Sequence, residues 1–310
     1  MADGLGVRFG SGFANFSVSA NGILFYGRGI GDQKVRFAWR DRKGKVLEMI
    51  GEPFEPGVGT LRISPDQGRV AYLTRAADGQ DDLRLLEFAR GLSTRFTVGG
   101  ARSPRWSPDG KQVYYFNAAG ICRKAADGSG EEELVLGASN GYLGGVSPDG
   151  SYLLYDDPDG IWTLPLMGER KPKPYLRTKY LEGGAAFSPS GQWLAYESNE
   201  SGRFEIYVQG FPERQGKWLV SADGGRFSAW RGDGKELYWV SEGRLLMAAS
   251  MDLQPTLVRP GKPEVLFQMP SVYFAPARDG QRFLVLEPVG GTQPDPPMVV
   301  VQNWASRLGK

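Results

Sequence analysis

The stretch Ser107-Pro108-Asp109-Gly110-Lys111-Gln112-Val113-Tyr114-Tyr115-Phe116 joins a tight turn to a strand. Pro presets φ for the first corner, Asp caps the turn locally, and Gly accepts the φ > 0 position. The β-branched and aromatic run that follows reads as a strand. The phrase recurs as Ser64-Pro65-Asp66-Gln67-Gly68, Ser147-Pro148-Asp149-Gly150 and Ser188-Pro189-Ser190-Gly191. Looser versions stand at Ser19-Ala20-Asn21-Gly22, Arg231-Gly232-Asp233-Gly234 and Ala277-Arg278-Asp279-Gly280. The turn glycines at 22, 68, 110, 150, 191, 234 and 280 are spaced by 46, 42, 40, 41, 43 and 46 residues. A fixed turn recurring about every 40–45 residues is the signature of propeller blades.

Four strands fit each unit. In the fifth they fall at 184–188, 193–196, 205–209 and 217–220. Small residues suit the inner strand, which crowds the axis, and large aromatics suit the strands outside it. The expectation is an all-β, seven-bladed propeller of four-stranded antiparallel blades, one domain over residues 1–310. Its blades start near 14, 59, 102, 142, 183, 226 and 271. The last unit supplies only three strands, at 272–276, 282–286 and 298–302. Residues 5–9 are expected to close it as a non-covalent outer strand.

Composition agrees and excludes several functions. The chain has 310 residues, with 44 Gly and 21 Pro, an excess that needs many turns. Hydrophobic residues at 41% and aromatics at 12% supply a core. Lys plus Arg is 37 against 35 for Asp plus Glu, without the basic bias of a nucleic-acid binder. The one basic run, Arg170-Lys171-Pro172-Lys173-Pro174, reads as a solvated turn. Cys122 is the only cysteine, so no internal disulfide forms. The absence of histidine removes Ser-His-Asp, Cys-His and HExxH chemistry. No cofactor or transition metal is expected, and calcium is the one ion left open. No run approaches the ~20 apolar residues of a membrane helix, and residues 1–20 lack a signal-peptide pattern. A monomer that does not itself insert in the membrane is expected.

The Ser-Pro-Asp-Gly phrase with its alternating strand resembles the TolB-like, WD-repeat-like propeller repeat of bacteria. More narrowly, Ala38-Trp39-Arg40-Asp41-Arg42-Lys43-Gly44-Lys45 and Val299-Val300-Val301-Gln302-Asn303-Trp304 resemble the C-terminal propellers of bacterial serine/threonine protein kinases. That resemblance implies a sensor portion, extracytoplasmic if it was joined to a kinase through a membrane helix and cytoplasmic otherwise. It carries over no catalytic residue, because neither a His-Arg-Asp loop nor an Asp-Phe-Gly motif is present.

Local constellations read as structure first. Ser64 to Gly68 matches the core of a sialidase Asp-box, but a turn lengthened by one residue explains it. Asp156-Asp157-Pro158-Asp159-Gly160 and Asp78-Gly79-Gln80-Asp81-Asp82 offer oxygen ligands without the spacing of a calcium loop. Glu197 and Glu200 share one loop, where opposed catalytic carboxyls are not expected. The candidate site is collective. Loops from outer to inner strand and from second to third strand meet at one mouth of the channel. They bring Tyr142, Arg177, Tyr180, Arg226, Phe227 and Tyr273 toward one rim, and aromatics with arginine suit recognition. A non-catalytic domain binding a peptide, protein or glycan is the leading reading. A carboxylate-dependent glycoside hydrolase or lyase, or an assembly scaffold, is the alternative.

Overall fold

In the computed structural model of the chain, residues 16–18, 23–27, 34–59, 61–76, 78–137, 141–290 and 298–302 are described. The repeated phrase folds as its chemistry dictates. Ser107 Oγ donates to Asp109 Oδ1 at 2.6 Å, and the amides of Gln112 and Lys111 donate to Ser107 Oγ and Asp109 Oδ1 at 2.9 and 3.0 Å. Gly110 takes φ 70°. The serine and backbone donors hold the Asp66, Asp109 and Asp149 carboxyls below the usual range. In the sixth phrase Arg231 replaces serine. It grips Asp233 through two bonds of 2.7 and 2.8 Å and pulls that carboxyl down to about 2. Gly234 and Gly280 keep φ 76° and 69°, so the turn survives both departures from the phrase. In the 64–68 version Gln67 carries the positive φ, 61°, which accounts for the extra residue.

Each turn joins an inner strand to a second strand, and the sheets order outward from there. Blade one comprises Arg62–Ile63, Arg69–Arg75, Asp81–Glu87 and Leu92–Arg95. Blade two comprises Arg102–Trp106, Gln112–Phe116, Ile121–Ala125 and Glu133–Leu136. Blade three comprises Tyr142–Val146, Tyr152–Asp157, Gly160–Pro165 and Lys173–Leu176. Blade four comprises Glu182–Phe187, Trp193–Ser198, Glu205–Gly210 and Trp218–Leu219. Blade five starts with Arg226–Trp230 and Glu236–Val240. Its long third strand, Leu245–Gln254, pairs with Glu264–Gln268 near one end and with the short Leu257–Pro260 near the other.

The last phrase does not build a seventh blade. Its strands Phe274–Pro276 and Arg282–Pro288 pair onward with Val35–Asp41, in register from Arg282 opposite Asp41 to Pro288 opposite Val35. Val46–Phe54 lies outermost. Two strands from each end of the chain therefore make blade six, and the expected seven blades become six. Met298–Gln302, expected as a third strand of the last blade, pairs instead with Ile23–Gly27 in a separate three-stranded sheet with Phe16–Val18. Residues 5–9, expected as the closing strand, lie outside the described residues.

The core confirms the ring count. Six buried apolar clusters form among the described residues, one at each seam between neighbouring blades. The cluster of Phe37, Trp39, Leu284 and Leu286 with Leu61, Val70 and Tyr72 closes blade six on blade one. No described helix is long and apolar enough to cross a membrane.

The Ala38 to Lys45 phrase is the hairpin between the two outer strands of blade six. Asp41 Oδ1 accepts from the Lys43 and Lys45 amides, both at 2.9 Å. Arg42 reaches to blade five, with paired bonds of 3.0 and 2.9 Å to Glu236, and to the Gly280 carbonyl at 3.1 Å. Bidentate, charge-assisted bonds of this kind outlast ordinary surface pairs. Arg42→Ala is expected to cost about 1–2 kcal/mol in urea unfolding. A loss no larger than that of Arg90→Ala, an exposed i,i+3 pair with Glu87, would show that the clasp contributes nothing.

Candidate functional site: the channel mouth

Each of blades two to five carries a β-bulge in its inner strand at the same end. The bulge puts Ser103, Gly184 and Phe227 at φ 54°, 60° and 58°, and turns backbone amides toward the neighbouring blade. Three successive seams are pinned there by side-chain oxygens. Ser103 Oγ accepts from Leu143 N at 2.8 Å. Asp156 Oδ2 accepts from Gly184 N at 2.6 Å, while its Oδ1 accepts from Tyr142 N at 3.1 Å. Glu197 accepts from Phe227 N at 2.5 Å and from Arg226 Nε at 2.9 Å.

These carboxylates are buried, Asp156 at 9% and Glu197 at 4% exposure. Burial pushes Asp156 up to about 6, and the Glu197 charge adds to the shift against the pull of the Gly184 amide. Burial raises Glu197 as well, opposed by Arg226. The loop reading of both residues missed this role. A signal was available in the Gly183-Gly184 pair. A Cβ on Gly183 would lie 2.6 Å from Asp156 Oδ2, and one on Gly184 would lie 2.7 Å from Glu197 Oε1. The strand is stripped of side chains because two carboxylates flank it.

Beside this belt lies a cleft of about 460 Å³. It is walled by Val58, by Arg75, Gly79, Gln80 and Asp81 of blade one, by the approach Gly99 to Arg102, by the turn of blade two from Phe116 to Ala118, and by Gly141 with Tyr142. Arg102 holds its guanidinium 5.5 Å from the Phe116 ring centre. Gly99 and Gly100 take φ 89° and 90°. Side chains rarely adopt a φ of this kind, so glycine suits this wall. Asp81 is tied to Arg75 at 2.9 Å and to Val58 N at 2.7 Å.

The six candidates separate into three groups. Tyr142, 47% exposed, lines the cleft. Arg177 lies over Trp162 at 5.5 Å, and Lys179 lies over the Tyr180 ring at 5.2 Å, on the segment joining blades three and four. Arg226, Phe227 and Tyr273 form a packed set. Arg226 is bound to Glu197 and stacked on Phe204 at 4.4 Å, and the Phe227 and Tyr273 rings are 5.8 Å apart. Arg102, equivalent in its strand to Tyr142 and Arg226, was not singled out by the sequence reading. Glu200 pairs with Lys217 rather than facing Glu197. Asp157 caps its own turn through Asp159 N and Trp162 Nε1, both at 2.9 Å. Among the described residues no three acidic, Cys or His side chains converge on a metal-sized space. Cys122 is buried, and burial raises its thiol to about 12.

No family model matches the sequence. The structure is similar to a putative TolB from Agrobacterium tumefaciens, at 19% identity, covering 83% of this chain and 99% of that one, with a TM-score of 0.63. It is similar to TolB from Acinetobacter baumannii at 13% identity, covering 86% and 66%, with a TM-score of 0.55. An oligogalacturonate lyase in complex with manganese matches at 14% identity, covering 94% and 81%, with a TM-score of 0.54. The likeness is one of fold: this chain has the architecture of a TolB-like β-propeller.

Proposed function

We propose that the chain is a non-catalytic recognition domain that binds an extended peptide segment of a partner protein at the channel mouth. The observation that carries this reading is the 460 Å³ cleft, assembled from turns of three blades and walled in part by glycines. Its anchors are of the kinds that dominate binding surfaces, the exposed Tyr142 and Arg102 braced on Phe116. The kinase-type resemblance of the blade six hairpin adds that the propeller is the sensing portion of a larger receptor. The lyase reading, raised by the manganese-bound neighbour, has less support. Two of the carboxylates at the mouth, Asp156 and Glu197, are occupied by backbone amides and arginine. The one in the cleft, Asp81, is paired with Arg75.

The test is selection of peptides from a random displayed library, followed by fluorescence polarisation of the enriched sequences. Tyr142→Ala and Arg102→Ala are each expected to weaken binding about thirtyfold, ~2 kcal/mol, as hot-spot truncations do. Their melting temperatures should stay near that of the unmodified protein. Selected peptides that bind all three proteins equally would place recognition elsewhere, and a library yielding no binder would remove the peptide reading.

A further inference from the structure

Two of the residues expected at the rim, Arg177 and Tyr180, lie outside the cleft. They stand on the segment that runs from the outer strand of blade three into the inner strand of blade four. Its residues Arg177, Thr178, Lys179, Tyr180 and Leu181 are all exposed. Tyr180 keeps 37% and Leu181 58% of its surface in solvent, yet the backbone that carries them is held. Thr178 Oγ1 donates to Glu182 Oε1 and accepts from Tyr180 N at 3.0 Å. Leu181 N donates to Asn199 Oδ1 at 2.9 Å, and Asn199 N returns a bond to Leu181 O at 3.3 Å. An apolar pair shown to solvent on a fixed backbone is preorganised for contact, since little ordering is left to be done on binding. The two cations beside it are braced by rings. The Arg177 guanidinium lies 5.5 Å from the Trp162 ring centre, and Trp162 is anchored through Nε1 to Asp157 Oδ1 at 2.9 Å. Lys179 Nζ lies 5.2 Å from the Tyr180 ring centre. Among the described residues neither cation has a carboxylate partner or a side-chain hydrogen bond. The carboxylates around them are engaged elsewhere: Asp157 caps its own turn, Glu182 is buried against Thr178, and Glu200 pairs with Lys217. Asp159, at the tip of the blade three hairpin, pairs with neither cation.

We propose that the segment Arg177 to Leu181 is a second contact surface for the peptide recognised at the mouth, and that the part of the peptide it takes is acidic. An Asp or Glu side chain of the peptide meets Arg177, with Lys179 beside it, and an apolar side chain next to that acid rests on Leu181 and Tyr180. The chemistry of Arg177 carries the assignment. A guanidinium laid on an indole face keeps its N–H donors at the ring edge, where a carboxylate can take two of them at once. The place in the fold agrees. Tyr142 lines the cleft, and Tyr142 N and Gly184 N are bound to the two oxygens of one carboxylate, Asp156. The inner strands of blades three and four therefore start side by side, and the segment runs directly into the second of them. Its other end is fixed as well, since a Cβ on Gly160 of the blade three hairpin would lie 3.3 Å from Arg177 Cα. An extended peptide advances about 3.3 Å per residue, so a few residues carry it from Tyr142 onto the segment. The apolar part of this surface is limited to Tyr180 and Leu181 and continues a cleft, which favours a peptide over a membrane surface. The proposal rests on the recognition reading and adds the charge of the partner and the path it follows.

The experiment uses the intact protein and the peptides selected from the displayed library. Enriched sequences are expected to carry Asp or Glu next to an apolar residue. Arg177→Ala should weaken them about tenfold, the loss of one charge-assisted contact, with an unchanged melting temperature because the side chain is exposed. Replacing the acid of the peptide by its amide should cost the same factor, and the two changes together no more than either alone. Arg177→Glu should regain binding when the acid of the peptide is replaced by lysine. Arg90→Ala, at an exposed site, should bind as the unmodified protein does. Peptides weakened by Tyr142→Ala that bind Arg177→Ala and Lys179→Ala normally would overturn the acidic-stretch assignment and leave the recognition reading standing. Peptides weakened by Arg177→Ala and indifferent to Tyr142→Ala would support the segment and take recognition away from the cleft. A library yielding no binder would remove both. The second arm sediments the protein with vesicles of phosphatidylserine and phosphatidylcholine in equal parts. Binding there that is lost in Arg177→Ala and Leu181→Ser, with no peptide enriched, would overturn the peptide and make the partner a membrane surface.

Discussion

Phe37→Ala is expected to lower the unfolding free energy by about 3–5 kcal/mol, the range for deleting a buried aromatic side chain. Phe37 is fully buried on the N-terminal strand that completes blade six. Its ring meets Tyr72 of blade one edge-on at 4.9 Å and Phe54 of its own blade at 5.1 Å. The residue therefore loses contacts on the seam where the two ends of the chain meet. Neighbours held in paired strands cannot collapse into the space, so the cavity penalty adds to the transfer penalty. The measurement is equilibrium urea unfolding followed by tryptophan fluorescence. A lower midpoint with an unchanged slope would mean that the whole ring depends on this seam. A loss below about 1 kcal/mol would contradict closure through Val35–Asp41, because such small effects belong to surface positions.

The parts of this fold that rest on local chemistry are legible in the sequence. Serine, aspartate and glycine within one turn choose their partners over a few residues, so the hairpins and the inner and second strands stand where the phrases put them. The blade count is not local. The phrase at 277–280 marks a blade but carries no information about which strands will lie outside it. Val35–Asp41 and Met298–Gln302 are both β-branched or aromatic runs of suitable length. Only packing of Phe37 and Trp39 against Leu61, Val70 and Tyr72 selects the first. The same limit applied to the site. Tyr142 was singled out because loops from outer to inner strand meet at one mouth of the channel, and it lines the cleft there. Asp156 and Glu197 were read as loop carboxylates because a chain of residues does not show that the Gly183-Gly184 pair, in the blade of Glu197, will press against Asp156 of the blade before it.

Asp156 supplies a stability signal that rises as the solution is acidified. Its folded-state value is about 6 against an ordinary 3.8, raised by burial and by Glu197. A carboxyl with a raised folded value takes up a proton on folding at any pH between the two values. Its contribution to stability is therefore complete below pH 3.8 and is lost as pH rises through 6. The difference of about two pH units corresponds to about 3 kcal/mol at most. Burial raises Glu197 as well, so the protein's own pH profile does not isolate the effect. The comparison with Asp156→Asn does. The amide cannot accept from both Tyr142 N and Gly184 N, but that cost is constant with pH and drops out of the slope. From pH 4 to pH 6.5 the unmodified protein is expected to lose about 2 kcal/mol relative to the variant, measured by urea unfolding at each pH. The turn aspartates act in the opposite direction, since serine hydroxyls lower Asp66, Asp109 and Asp149. They contribute equally to both proteins and also cancel. A difference that stays flat across the range would mean that water reaches Asp156 and that the channel mouth is open to the depth of the inner-strand bulges. A difference that grows with acidity would mean that the carboxylate belt is closed and dry, held apart from the cleft beside it.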